Sequence, residues 1–366
     1  MRLARSGLNE RDVLPLVMAT GGDAGIFAEH APRVWRERGA PPRALLTLDD
    51  PDLDHVIEDE LERALREQWT LLHPDHEQYP PLVRELAVPP PLLTLRGCAD
   101  ALAGPAIAFV GSRRCTTYGL SRTGKLAGQV AARGFCVVSG LARGIDGRAH
   151  EAALEVGGVT VAVLGTGMDV LYPREHRRLA ERMLERGAWV TEFPPGRPPL
   201  PQNFPRRNRI IAGLADAVVV AEAELPSGSL ITAQWALTEN RAVLALPGRV
   251  GDPTAAGPLA LIREGAALCR GLDDLLAEIR PDRIPCVIPG PPGRASSGHV
   301  PALDPRAQRL VDALPPDDDL ALEALLEKSG LSTDEALVAL FTLELAGLVE
   351  ALPGSRYRRR LGVGES

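Results

Sequence analysis

Between Ala106 and Ile279 the chain alternates short apolar, β-branched runs with longer stretches in which apolar residues recur at helical spacing. The runs are Ala106–Val110, Phe135–Val138, Val159–Leu164, Ala188–Phe193, Ala217–Ala221 and Ala242–Leu246. Runs apolar at nearly every position, rather than at every second one, suit strands covered on both faces. Strands of this kind separated by helices predict an α/β fold, a Rossmann-like, mostly parallel sheet covered by helices. Right-handed crossovers then bring the loops that leave the strands' carboxyl ends to one edge.

The flanks carry other patterns. Leu8 to Ala19, Ala31 to Arg38 and Leu53 to Trp69 show apolar spacing near 3.6, predicting an N-terminal helical domain over residues 1–80. Prolines at 74, 80, 81, 89, 90, 91 and 105 break regular helix and predict an extended connector at 81–105. The core is expected at 106–280. A flexible linker follows at 281–301, with Pro-Gly-Pro-Pro-Gly at 289–293 and Ala-Ser-Ser-Gly at 295–298. Residues 302–366 read as a winged-helix-like domain, with helices at 305–314, 319–328 and 332–346 and short strands around Leu348–Ala351 and Tyr357–Arg359.

Composition narrows the class. Hydrophobic residues are 45% and charged residues 24% of 366, a globular balance rather than a disordered one. There is neither a basic-then-apolar leader nor an apolar run near the roughly 20 residues a membrane span needs, so a cytoplasmic protein with no membrane partner is expected. The five cysteines stand singly, and His73 and His76 are a lone pair, so no metal and no cofactor are expected. The formal net charge of −7 argues against a nucleic-acid partner until it is divided along the chain. Residues 101–280 hold 21 Lys and Arg against 17 Asp and Glu, while both flanks are acidic. The basic surplus coincides with the glycine-rich loops.

Those loops carry the candidate chemistry. Gly111-Ser112-Arg113-Arg114, Ser139 to Gly144 with Arg143, Gly165-Thr166-Gly167, and Ser227-Gly228-Ser229 each follow a predicted strand. Small residues let backbone N–H groups approach an anion, and the following helix offers its positive end. One such loop is an ordinary turn; several on one edge make a surface for several phosphates. The segment Gln202-Asn203-Phe204-Pro205-Arg206-Arg207-Asn208-Arg209 adds the densest basic cluster in the chain around an aromatic. Phe204 there either stacks an unpaired base while arginine forks hold phosphates, or packs inward to anchor a helix.

Other motifs are weaker. Gly119 to Leu126 nearly matches a P-loop, but Leu126 stands where a Mg²⁺-binding Ser or Thr belongs. Gly165-Thr166-Gly167 lacks the third glycine of a dinucleotide fingerprint. Asp146 is expected to cap a helix, and Asp169 and Tyr172 to fix a turn. No nucleophile elbow and no Cys–His pairing is evident, so a binding protein is expected rather than an enzyme.

At these residues the chain strongly resembles the DprA family, also called Smf. The likeness runs from about Ala106 to Ile279 through Val110-Gly111-Ser112-Arg113, Ser139 to Asp146, Ala162 to Asp169, Phe204 to Leu214 and Ser227 to Ala233. The resemblance implies single-stranded DNA binding, protection of incoming DNA in natural transformation, dealings with single-strand-binding protein, RecA loading and a homodimer. It also implies binding roles for Arg113, Phe204 and the basic residue after Tyr-Pro, here Arg174, and it makes the N-terminal domain sterile-alpha-motif-like. A rival reading is a nucleotide-processing phosphoribohydrolase-like enzyme on a related core, but laying that pattern on Ser227–Trp235 puts Trp235 at the catalytic glutamate. A second rival, a duplex-DNA regulator, founders on a recognition helix, Ser332 to Ala346, that carries Asp334, Glu335 and Glu344 and no basic residue. Of that domain only the wing's Arg356, Arg358, Arg359 and Arg360 are placed to touch phosphate.

Overall fold

The computed structural model describes residues 52–285, 304–315, 318–345, 348–352 and 354–359. The helices expected at Leu8–Ala19 and Ala31–Arg38, and most of the linker, lie outside the described residues. Two compact units emerge, one built from 52–114 with 126–285, the other grouping 115–125 with the C-terminal residues.

The first unit holds α1 (Leu53–Arg66), β1 (Thr70–Leu72), α2 (Pro81–Arg84), β2 (Leu93–Gly97) and β3 (Ala106–Val110). Helix α3 (Thr117–Ala132) starts among the residues grouped with the second unit and ends in the first. Then follow β4 (Cys136–Ser139), α4 (Ile145–Glu155), β5 (Thr160–Val163), α5 (Arg177–Met183) and β6 (Ala188–Thr191). The unit continues with α6 (Asn203–Leu214), β7 (Ala217–Val220), α7 (Gly228–Thr238), β8 (Ala242–Ala245), α8 (Ala256–Arg263), β9 (Ala267–Leu268) and α9 (Leu272–Ala277).

All the apolar runs read from the sequence form strands of one nine-stranded sheet, ordered β1-β2-β6-β5-β4-β3-β7-β8-β9. From β6 to β9 the neighbours are parallel; β2 and β1 add to the β6 edge antiparallel. The proline-rich stretch read as a connector thus carries a strand as well as a short helix: Thr94 pairs with Thr191 and Leu95 with Val190. Its prolines sit outside β2, where a missing N–H costs no ladder bond. Successive residues of each strand point to opposite faces. Ala108, Val110, Val138, Val161, Val163 and Val218 join one core with Ile210, Ile211, Ala233 and Ala236 of α6 and α7. Ala162, Leu164 and Trp189 join another with Leu179 and Met183 of α5 and its C-terminal end.

The strand order runs outward from β3 to β6, then jumps back so that β7 lies beside β3. Their chains leave the sheet in opposite directions at that point, which opens a crevice beyond the carboxyl ends of β3 and β7.

Two buried charges join the layers below this edge. Arg207 of α6 donates from Nη1 to the carbonyls of Gly140 (2.8 Å) and Val163, and from Nε to Asn208 Oδ1 (3.1 Å). A Cβ at Gly140 would overlap the guanidinium, so a larger residue there displaces the Arg207 fork from its carbonyls. Asp146 was expected to cap α4, but its Oδ2 instead accepts from the N–H groups of Gly140 (3.1 Å) and Ala142 (3.3 Å), closing the β4–α4 loop onto the helix. The cap position itself belongs to Gly144, with no side-chain bond. Burial pushes the Asp146 carboxyl up while the Arg207 charge and these N–H groups pull it down. Burial draws Arg207 down to about 10, against the pull of Asp146, so it remains a cation at neutral pH.

The second unit contains α10 (Pro305–Ala313), β10 (Asp319–Ala321), α11 (Leu322–Ser329), α12 (Thr333–Leu345), β11 (Val349–Leu352) and β12 (Arg356–Arg359). Its strands pair antiparallel in the order β10-β12-β11 around a core that includes Leu310, Leu325, Leu340, Leu343 and Val349. Residues 319–321, expected to open a helix, are a strand because they pair with Arg356–Arg358 of the wing. Ser332 and Glu335 exchange a capping box at the start of α12.

Two predictions follow from buried titratable groups. Asp146→Ala strands part of the Arg207 charge and two N–H groups, and should cost about 3–5 kcal/mol of unfolding free energy by urea titration. Asp146→Ala with Arg207→Met should recover part of that; a single-mutant loss below about 1 kcal/mol contradicts this coupling of charge and loop. His150 is fully buried, with Nδ1 at 2.6 Å from Thr160 Oγ1, and burial drives it down to about 3 from an ordinary 6.5. The folded state therefore binds fewer protons than the unfolded state between these values, so its contribution is lost as pH falls below about 6.5. Stability should drop by about 2 kcal/mol from this group between pH 7 and pH 5. His150→Gln should flatten that slope; an unchanged slope contradicts a neutral His150.

Candidate nucleic-acid interface

The crevice at the strand-order reversal is a cleft of about 660 Å³. Gly111, Ser112, Arg113 and Arg114 after β3 form one wall, and Ser227, Gly228 and Ser229 at the start of α7 form another. Phe204, Arg207 and Asn208 of α6 contribute to its lining, with Tyr172 from the β5–β6 connection. The glycine- and serine-rich loops after β3 and β7 therefore open on one space, and the loop after β4 borders it through Ala142.

Backbone bonds shape these walls. Ser112 N–H donates to the Glu222 carbonyl (2.7 Å), joining the β3 and β7 loops, while Ser112 Oγ accepts from Arg114 N–H (3.0 Å). Ser227 is the N-cap of α7, its Oγ accepting from Ser229 N–H and lying 2.7 Å from Ser229 Oγ. Asn208 donates to the Gly228 carbonyl (3.0 Å) and so ties this helix start to α6. The positive end of α7 consequently faces the cleft.

Phe204 sits between charges. The Arg113 guanidinium lies 5.1 Å from its ring centre and that of Arg207 5.9 Å, while the Tyr172 ring is 5.8 Å away. Phe204 is half-buried, so part of its ring is accessible from the cleft. Its seat requires Gly165, since a Cβ there would lie 2.8 Å from Phe204 Cδ1. Arg113 and Arg114 are exposed, and among the described residues neither pairs with a carboxylate. Arg174 is likewise exposed and unpaired there, just beyond Tyr172 and Pro173.

The basic cluster of α6 is divided by helical periodicity. Phe204, Arg207 and Asn208, three and four residues apart, face the cleft; Arg206 and Arg209, also three apart, face away. Arg209 is buried and donates to Glu192 Oε2 (2.5 Å) and the Val88 carbonyl (3.2 Å). Arg206 reaches the same Glu192 oxygen (3.2 Å) and lies over Phe193. Asn203 is buried, donating to the carbonyls of Gly165 (3.0 Å) and Pro198 (3.1 Å). Arg143 forms a two-pronged bond with Glu175 at the edge of a small recess beside Phe204. That bond holds Glu175 below the usual carboxylate range. Hence Asn203, Arg206 and Arg209 do not line the cleft, and Arg143 borders it with its fork engaged.

Tyr172 was read as a turn residue, yet it lines the cleft with its ring against Phe204. An aromatic in a loop leaving a strand's carboxyl end was the available signal. Asp169 ties segments together rather than bonding within its own turn, accepting from Gly196 N–H (2.7 Å) and pairing with Arg63 (3.0 Å). Among the described residues no three His, Cys, Asp or Glu side chains group as metal ligands. No helix among them is long and apolar enough to cross a membrane.

Comparison with known proteins places this architecture. The family model described as DNA recombination-mediator protein A matches residues 70–280, and that of the DprA winged helix domain matches 294–355. Protein Smf of Escherichia coli is 41% identical over 308 residues, covering 79% of this chain and 77% of its own. The DNA processing protein DprA of Streptococcus pneumoniae is 46% identical over 200 residues, 55% of this chain and 71% of that one. A solved structure of that S. pneumoniae protein superposes with a TM-score of 0.68 at 36% identity, covering 76% of this chain and 96% of that one. DNA processing protein A from Helicobacter pylori, whose structure is described for its single-stranded DNA binding mode, gives a TM-score of 0.53 at 28% identity over 58% of this chain and 98% of that one. With a family match over the sheet that builds the cleft, and a second over the winged helix, the chain belongs to the DNA recombination-mediator protein A family.

Proposed function

We propose that the protein binds single-stranded DNA in the cleft, protects it, and loads RecA recombinase onto it during natural transformation, acting as a cytoplasmic homodimer that also meets single-strand-binding protein. The observation that carries this reading is Phe204 held between Arg113 and Arg207 in a cleft walled by the Gly111–Arg114 loop and the start of α7. A half-buried aromatic with cationic neighbours suits an unpaired base, because every base has a stacking face and paired bases cannot be splayed onto it. Arg113 covers that ring and has no carboxylate partner among the described residues, so a phosphate can draw it away and leave the ring to a base. Arg114, Arg174 and the positive end of α7 supply further phosphate contacts. Arg207 acts from below as a fixed buried charge, and Arg143 joins the surface when phosphate displaces Glu175. Asn203, Arg206 and Arg209 support the site by holding α6 in place.

The role is binding and handover rather than bond-making. Asp146, the buried acid lining the cleft, spends its carboxylate on the β4–α4 loop. Trp235, where the rival hydrolase pattern needs a glutamate, packs against the core.

Anisotropy titrations against oligodeoxythymidine at several salt concentrations separate the terms. Phe204→Ala should weaken binding about five- to a hundredfold, the range for a lost base stack, with little change in salt dependence. Arg113→Ala should lower the slope of log K against log salt by about 0.7, the single-strand value for one phosphate. Duplex of equal length should bind more weakly. Wild-type affinity in Phe204→Ala means the ring is only an anchor, and equal affinity for duplex and single strand overturns the reading.

A further inference from the structure

We propose that α12 of the winged-helix unit is a docking face for a protein segment, an amphipathic helix whose apolar stripe is flanked by basic residues at both ends. The burial pattern carries this first. Ala336, Ala339, Leu340 and Leu343 fill the unit's own core. On the other side of the helix, Leu337 is 42% exposed, Val338 70% and Phe341 62%. An apolar surface on both sides of one helix is the pattern of an element that gains a second cover.

The charges around it choose the occupant. Asp334 stands before the exposed stripe and Glu344 after it, and neither pairs with a cation among the described residues. The helix has no Lys or Arg, so it offers phosphate no donor of that kind. In the wing, Arg356 is bonded to Asp319 and Arg358 to Glu350 (2.6 Å), so among its described arginines Arg359, on β12 and not on α12, is the one without a carboxylate partner. A nucleic-acid partner therefore meets uncompensated carboxylates. A second copy meets the same obstacle: antiparallel α12 helices would set Asp334 against Glu344, and parallel ones would set like residue against like. A basic-flanked apolar helix covers the stripe and neutralises both acids. The residues that line the cleft all belong to the other unit.

Two labelled synthetic peptides test it on the full chain by anisotropy. Each has Leu at i, i+3, i+4 and i+7 of a helix, with two Arg at both ends in one and two Glu in the other. The Arg-flanked peptide should bind at least tenfold tighter than the Glu-flanked one. Phe341→Ser with Val338→Ser should weaken it at least tenfold while leaving oligodeoxythymidine binding unchanged. Asp334→Lys with Glu344→Lys should invert the preference between peptides. Both serine substitutions are on the surface, and an unchanged unfolding curve shows that the fold persists. No binding of the Arg-flanked peptide, equal binding of both, or wild-type binding by the serine variant overturns the proposal. So does sedimentation showing that the serine variant alters the oligomeric state, since a second copy would then be the cover. Loss of duplex DNA binding in that variant also overturns it and makes α12 a DNA reader.

Discussion

A guanidinium taken out of water must find its acceptors where it lies, and much of the cleft is arranged around that requirement at Arg207. Its fork is met by the Gly140 and Val163 carbonyls and by Asn208. The first of these is kept by the glycine after β4; Asn208 then reaches on to Gly228 and fixes the start of α7. Asp146 balances the charge and closes the loop that supplies the Gly140 carbonyl. Phe204, one helical turn earlier, lies over the same guanidinium. Two strand ends, those of β4 and β5, and three helices, α4, α6 and α7, are thereby set relative to one another around one buried cation. Bonds of this kind keep their geometry when ligand arrives, which is what a preformed binding surface needs.

The distribution of charge explains how an acidic chain can present a cationic site. Many arginines are already answered: Arg148 by Glu155, Arg206 and Arg209 by Glu192, Arg270 by Asp274, Arg283 by Asp216. The exposed pairs among these contribute little stability. Their effect is to lower the potential over parts of the surface, whereas Arg113 and Arg114 line the cleft with no carboxylate partner among the described residues. Net charge averages over this contrast and so says little about the partner.

Much of the sheet was legible because its signal is local: Ala106–Val110 is apolar at every position and forms β3 over those residues. The loops were legible for a related reason, since a parallel sheet fixes which edge they share. The edge strands were not. Leu93–Gly97 is short, preceded by prolines and defined by its partners β6 and β1, information that no local pattern carries. Asp319–Ala321 was misread in the same way, its strand state being imposed by the wing. In the basic cluster the residue types pointed to the right helix, but facing was decided by Glu192, distant in sequence, which takes Arg206 and Arg209 to the other side. Tyr172 was missed because its meaning depends on Phe204, and the two meet only in the folded chain.

The most direct test is the structure of the full chain bound to a short oligodeoxythymidine. The strand should run through the cleft between β3 and β7, with one thymine on the Phe204 ring, Arg113 moved from that ring to a phosphate, and a second phosphate at the Ser227–Ser229 end of α7. A strand bound on another surface, with Arg113 still lying over Phe204, would contradict the central claim.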